Sequence, residues 1–421
     1  MMTESQVVAN EIERVNPKLA TLFDRDSTFF STIEKRADSV PVSARDMRVP
    51  LELRPGGNFG HYDPDGGDLG LGDGPTFDKG TVPIAHIRLA IQWTKKSEWA
   101  TDSDRKAVLS TFKHIMAKSM QEFRRQVDSL CMTDGTGTLG VISAVTVNTP
   151  AGSDTITLNT DGYGARLLRY GQKINVYNTG LTTNRTLGAE KQITFYDGPG
   201  KQIRIPTGTP GITTGDKIVV SGVSATPPTS IYGVPYHQNG ASSGTWLGLD
   251  RATTPEVRGN RVAASGTLSL PYPRLAFNKI GDRLGAENTK KVTAWMHPAQ
   301  LQAYEELGQL VTVINKNPSS NPGYDGYYDQ DNMRIAGVPI RTSFSWDKTR
   351  IDFIVNDAWG RAEMKPVGFY DLDGRKVFET RGASGGVATS MLFYIVASFQ
   401  LFMNNPVAGA YIDTLTVPSG Y

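Results

Sequence analysis

Residues 54–80 read RPGGNFGHYDPDGGDLGLGDGPTFDKG, and nine of these 27 are glycine. Glycine loses more backbone freedom on ordering than any other residue, so such a stretch is costly to fix in place. It lies between two segments of strand pattern. Met47, Val49, Leu51 and Leu53 alternate in 45–53, and Ile87, Leu89, Ile91 and Trp93 alternate in 81–97. The expectation is one long hairpin over 45–97. Hairpin loops ordinarily hold about two to five residues, so a tip of this size is functional or meets a partner.

The chemistry of the tip narrows the choice. Asp63, Asp65, Asp68 and Asp73 have the look of a calcium loop, but glycine stands at 67, where a third ligand belongs, and no closing glutamate follows. Gly70, Gly72 and Gly74 lack dinucleotide-loop spacing, and no G-x-x-x-x-G-K-[ST] exists. What remains is an acidic tip carrying five apolar residues, Phe59, Tyr62, Leu69, Leu71 and Phe77. Those five can bury only against something else.

The neighbouring elements are extended too. Residues 1–40 read as an arm with one or two short amphipathic helices, through Val7, Ile12, Leu19, Phe29, Phe30 and Ile33, interrupted at Pro17. Residues 102–132 read as a helix more than about 40 Å long. Asp102 and Asp104 sit at its start, and Asp134-Gly135 and Gly137 stop it. Its Arg105, Lys106, Lys113, Lys118, Arg124 and Arg125 form a basic face, which is a solvated surface or one turned toward nucleic acid or acidic neighbours.

From 141 to 222 short alternating runs such as DTITLN, QKINVYN and DKIVVSG are separated by turn residues, which reads as a small antiparallel barrel or sandwich inserted in the chain. A linker is expected at 224–246, SATPPTSIYGVPYHQNGASSGTW. Beyond it helices and strands mix, ending in the long apolar strand TSMLFYIVASFQLFMNN and a short last strand after Pro406. The fold class is therefore α+β.

Catalysis finds no constellation. Gly382-Ala383-Ser384-Gly385-Gly386 fits G-x-S-x-G, but a strand follows it and no histidine lies downstream of His297. The five histidines are scattered and Cys131 is the only cysteine, so no metal motif or disulfide framework exists within the chain, and a reducing compartment suits it. Lys plus Arg is 44 against 42 for Asp plus Glu, without the basic excess of a dedicated nucleic-acid binder. No stretch approaches membrane length and the start lacks a signal core. The expectation is no enzyme, no cofactor and no membrane.

The order of these elements resembles the major capsid proteins of tailed bacteriophages, with the Hong Kong 97-type fold. The resembling segments are MTDGTGTLG after the helix, GTWLGLDRATTPEVRGNRV, VTAWMHPAQLQAYEEL, MRIAGVPIRTS and TSMLFYIVASFQLFMNNPVAGAYI. The resemblance implies an N-terminal arm at 1–44, an extended E-loop hairpin at 45–100 and a P-domain spine helix at 101–140. It further implies a β-rich insertion domain at 141–225, an A-domain at 226–360, P-domain strands at 361–404 and a return to the A-domain at 405–421. It implies hexamers and pentamers in an icosahedral head, assembled in the bacterial host cytoplasm and enclosing double-stranded DNA. A portal, a decoration protein and a separate scaffolding protein are the further partners implied, the last because only about 40 residues precede the hairpin. Some members join a lysine to an asparagine between subunits; Lys79 with Asn404 or Asn405 would be the pair here. A β-rich adhesin would account for 141–222 but not for the long helix. A cellular nanocompartment shell would share the fold, with protein as its cargo.

Overall fold

The hairpin strands are Asp46–Arg54 and Thr76–Pro83, antiparallel, with Asp46 opposite Pro83 and Arg54 opposite Thr76. They belong to a computed structural model that describes residues 28–36, 38–41, 46–61, 64–65, 67, 70–94, 111–159, 165–186, 189–208, 211–223, 225–289, 291–312, 334–372, 374, 376–381 and 387–419. The hairpin is shorter than the alternation suggests. Pro83 has no N–H to extend the ladder. The next strand, Ala85–Thr94, leaves it and pairs with Val387–Met403 instead. Residues 81–94 therefore serve two sheets, and the tip spans 55–75.

Two compact units form. The smaller includes His86–Arg125 and Lys365–Ser398. Its strand Phe378–Arg381 runs antiparallel to the start of Val387–Met403, with Phe378 opposite Leu392 and Arg381 opposite Val387. Alternation puts Phe393 on the inner face, edge-on to Trp93 and Phe369 at 5.6 and 5.7 Å. Residues 382–386, the G-x-S-x-G match, lie outside the described residues. The elements flanking them are two antiparallel strands, Phe378–Arg381 and Val387–Met403.

The larger unit comprises Thr28–Ala85, Gln126–Met364 and Phe399–Tyr421. Within it, seven strands between Thr138 and Val220 make one antiparallel sheet, in the order 191–192, 173–177, 217–220, 138–146, 153–158, 202–206, 195–197. The two edge strands are neighbours in sequence. Ile193 N donates to Gln172 O on one side, and Thr194 N donates to Arg204 O on the other, both at 2.9 Å. The sheet thus closes on itself as a small barrel. Ile156, Leu158, Ile203 and Ile205 are buried at alternate positions, as period 2 requires, while the strands 173–177 and 217–220 are covered on both faces, with Ile174, Val176 and Ile218 on one and Tyr177 and Val219 on the other.

A second, mixed sheet has the order Asn260–Gly266, Ala410–Leu415, Ile351–Val355, Val292–Met296, Val338–Thr342, Arg334–Ile335. The last strand of the chain, Ala410–Leu415, is parallel to the first of these and antiparallel to Ile351–Val355. The helices Pro271–Leu284 and Pro298–Thr312 belong to the same region of the sequence.

The segment 224–246 is not a linker. Its short helix Val234–His237 carries a fully buried His237, and Trp246 is fully buried as well. Trp246 Nε1 donates to His237 Nδ1 at 3.1 Å, and His237 Nε2 lies 3.2 Å from Leu401 O. Both ring nitrogens are engaged, and burial pushes the imidazole down to about 3, so it is neutral. Aromatic side chains in a Gly/Pro-rich stretch outweigh its turn composition. Gly233 makes the turn possible, since a Cβ there would sit 2.2 Å from Cys131 O.

Residues 1–27 lie outside the described residues, and with them most of the expected arm. Its end is the helix Thr28–Arg36, with Phe29, Phe30 and Ile33 buried. The strand Asp38–Pro41 follows and pairs in parallel with Gly360–Glu363. The predicted start of the long helix at 102 also falls outside; Thr111–Cys131 is described, about 32 Å long. Asp128 on this helix caps the other: Phe30 N donates to Asp128 Oδ1 at 2.7 Å. Asp128 is buried, its Oδ2 has no hydrogen-bond partner, and burial raises its carboxyl from 3.8 to about 7.

The folded chain thus holds this proton up to about pH 7, whereas the unfolded chain releases it near 4. Stability should fall as pH rises between those values, by the order of 4 kcal/mol for this group alone. Urea unfolding at pH 5 and pH 8 checks this. Asp128→Asn should shrink the difference between the two pH values by most of that amount; an unchanged difference would show that Asp128 is not its source.

Candidate subunit-contact surface

The hairpin is fixed at its base and bare at its tip. Val49 and Val82 join Trp246, Leu247, Leu249, Val257, Ala362 and Phe402 in one buried cluster. Thr81 N donates to Leu247 O at 2.7 Å, and Arg54 Nε meets Glu256 Oε1 at the same distance. The Arg54 guanidinium holds the Glu256 carboxyl below its usual range. The neck is closed by Gly57 N donating to Asp73 O at 2.8 Å. Only glycine fits here: a Cβ on Gly56 would sit 2.5 Å from Pro75 N, and Gly57 has φ of 109°.

Beyond the neck every described residue is exposed. Phe59 and Leu71 stand almost wholly in solvent, and Phe77, at the root, is 67% exposed. Asp65 and Asp73 are exposed, and Asp73 Oδ1 accepts from Gly74 N at 2.9 Å. Tyr62, Asp63, Asp68 and Leu69 lie outside the described residues. The structure therefore brings Phe59, Leu71 and Phe77 onto one projecting element. Phe59 and Leu71 bury almost none of their side-chain surface against the rest of the subunit.

The basic face of the long helix is less uniform than its sequence. Arg125 Nη1 pairs with Glu122 Oε2 at 2.8 Å, both half-buried, and Lys118 Nζ donates to Gln121 Oε1 at 3.3 Å. Arg124 is exposed. Arg105, Lys106 and the side chain of Lys113 lie outside the described residues. Of the cross-link residues, Lys79 is exposed on the hairpin, while Asn405 Oδ1 already accepts from Val407 N at 3.1 Å. Among the described residues no three His, Cys, Asp or Glu side chains gather to hold a metal ion, and no helix is long and apolar enough to cross a membrane.

Sequence reasoning missed Asp128 and the His237–Trp246 pair. The signal for the second was present in the spacing Tyr232, Tyr236, His237, Trp246. For Asp128 there was none, since its partner Phe30 is 98 residues away.

No protein-family model and no curated protein matches this sequence. Solved structures do match. The cyanophage A-1(L) capsid asymmetric unit contains a chain 11% identical, aligned over 99% of this chain and 100% of that one, with a TM-score of 0.59. The capsid of a native GTA particle matches at 12% identity over 99% and 100% of the two chains, TM-score 0.50. The mature capsid of bacteriophage PhiM1 matches at 9% identity over 97% and 92%, TM-score 0.50. At such identity the likeness speaks to the path of the backbone, and the alignments cover nearly all of both chains. Along nearly its whole length this chain has the fold of a tailed-phage capsid protein.

Proposed function

We propose that this chain is the major capsid protein of a tailed phage, of the Hong Kong 97 type, and that it assembles as hexamers and pentamers into an icosahedral head around double-stranded DNA. The observation that carries the reading is the fold likeness, over 99% of this chain and 100% of the cyanophage capsid chain. The projecting hairpin supports it, because Phe59 and Leu71 have no cover within the subunit. In this reading the hairpin is the E-loop, and its tip contacts come from Phe59, Tyr62, Leu69, Leu71 and Phe77, with Asp63, Asp65, Asp68 and Asp73 pairing against basic residues of the neighbour. Thr111–Cys131 is the spine helix, its basic side chains facing packaged DNA without sequence preference. The barrel is an insertion domain on the outer surface, open to a decoration protein. A portal and a separate scaffolding protein complete the assembly. The chain's role is structural, and its place is the virion.

Electron microscopy of the purified protein, alone and co-expressed with a scaffolding partner, tests the reading. Shells, or rings of five and six subunits, are expected, with contacts above about 2,000 Å². A protein that stays monomeric by light scattering at high concentration, and forms no shells under co-expression, would refute it.

A further inference from the structure

The hairpin strands Asp46–Arg54 and Thr76–Pro83 form a sheet of two strands only. Such a ribbon has little stability of its own, so its direction is set by what grips its base. One short segment, residues 245–258, grips both strands. Leu247 O accepts from Thr81 N on one, and Glu256 meets Arg54 on the other.

The segment breaks a local rule where it grips. Thr245–Trp246 and Leu249–Asp250 pair antiparallel and are joined by Leu247 and Gly248, at φ of 49° and 92°. Two successive positive φ angles in a two-residue turn ordinarily call for Asn-Gly. Here the first residue is a leucine, for which this region is strained, and its side chain is buried instead of turned to solvent. The strain has a use. A Cβ on Gly80 of the hairpin would stand 3.2 Å from Leu247 Cβ and 3.3 Å from Leu247 Cδ1. Gly80 is not at positive φ, so its own backbone does not call for glycine; the close approach of Leu247 does.

The turn is braced from behind. Leu247 N donates to Tyr236 Oη at 2.9 Å. Buried Arg251 donates through Nη1 to Thr245 O and through Nη2 to Tyr236 O, both at 2.9 Å. Arg283, on the helix Pro271–Leu284, donates to Arg258 O at 2.6 Å and to Pro255 O at 3.2 Å. We propose that Leu247 is a positioning residue: held in a strained and braced turn, it locks onto Gly80 and fixes the angle at which the hairpin tip projects. The lock is a property of the single chain, and its consequence for assembly rests on the shell reading.

Two substitutions attack the lock from opposite sides. Leu247→Gly keeps the turn, since glycine adopts positive φ freely, and removes the plug. Gly80→Val suits a strand and drives two methyl groups into Leu247. Together they are complementary, because the valine fills space that the leucine leaves. Spin labels on Thr76→Cys and Ser265→Cys, both exposed positions, read the hairpin against the mixed sheet in unassembled full-length subunits; Cys131 is buried and stays unlabelled. Each single variant should shift or broaden the label-to-label distance by several ångströms. It should also speed exchange of the Thr81 amide about tenfold, the loss of one backbone hydrogen bond. Amides of Ile351–Val355 should stay protected, which separates a freed hairpin from an unfolded subunit. Shell yield should fall in both. The double variant should recover the parent distance and the shells, which a merely weakened core would not do. Parent distances in both single variants, no recovery in the double variant, or normal shells from a variant whose hairpin has moved would each overturn the proposal. If the parent chain forms no shells, the shell reading fails alone, and the distances in free subunits still decide on the lock.

Discussion

A chain in which residues 58–72 are replaced by an Asn-Gly turn should fold as a subunit and fail to form shells. The first half follows from the neck. Gly57 N and Asp73 O already meet at 2.8 Å, so a two-residue turn can join the strands there. No described residue of 58–72 is buried, so the deletion removes no core. A shorter loop also costs less entropy to close, which leaves stability unchanged or slightly higher. The second half follows from Phe59 and Leu71. Each would contribute about 1.5–3 kcal/mol if covered by a neighbour, and every subunit of a shell repeats the contact. The carboxylates of the tip should matter less: exposed ion pairs contribute about 0–1 kcal/mol and weaken with salt. Sedimentation of the deletion variant should show subunits or single rings, with an unfolding midpoint within a few degrees of the parent. Asp-to-Asn changes at 65 and 73 should leave shells intact at moderate salt. Normal shells from the deletion variant would remove the hairpin tip from the interface. Hydrogen exchange of 58–72 adds a second reading, fast in free subunits and slow in shells.

Much of the fold can be read in the sequence wherever a local period decides it. Alternation in DTITLN gives a barrel strand because Ile156 and Leu158 bury one face against its neighbours. Phe123, Val127 and Leu130 give the helix for the same reason. Reading fails where two sheets share one continuous pattern, as in 81–94. There the break depends on Pro83 and on which partner each half finds, and the partner of 85–94 lies some 300 residues away in the strand Val387–Met403. It fails again at 224–246. Glycine and proline mark turns, but a turn can be buried when its aromatics have somewhere to go, and the cluster that receives Trp246 is assembled from residues between Val49 and Phe402. The candidate contact surface was legible as composition: apolar residues on a backbone that cannot bury them itself.

Phe29→Ala should destabilise the subunit by about 5 kcal/mol, the largest loss expected from any single side chain on the helix Thr28–Arg36. Phe29 is fully buried, with its ring edge-to-face against three tryptophans: Trp295 and Trp346 at 5.3 Å and Trp359 at 6.0 Å. Truncating a buried phenylalanine costs about 3–5 kcal/mol in transfer and cavity terms. Each aromatic pair adds about 0.5–1.5 kcal/mol, not fully additively. The tryptophans cannot collapse into the gap easily, since Trp295 and Trp346 are stacked on each other at 5.4 Å and Trp346 Nε1 donates to Asp352 Oδ2 at 2.9 Å. Phe30 and Ile33 are the other buried side chains described on the helix. It is nine residues long, too short to persist alone, and its start depends on Asp128. Losing Phe29 should therefore release the helix and then the parallel strand Asp38–Pro41 beside Gly360–Glu363. Urea unfolding gives the magnitude, and hydrogen exchange gives the place. Amides of 28–41 should lose protection by a larger factor than those of Ile351–Val355 at the centre of the mixed sheet. Phe29→Leu, which keeps most of the volume, should cost less than half as much. A loss below about 1.5 kcal/mol for the alanine variant, or an even loss of protection across both regions, would mean that the tryptophan cage holds together without its plug.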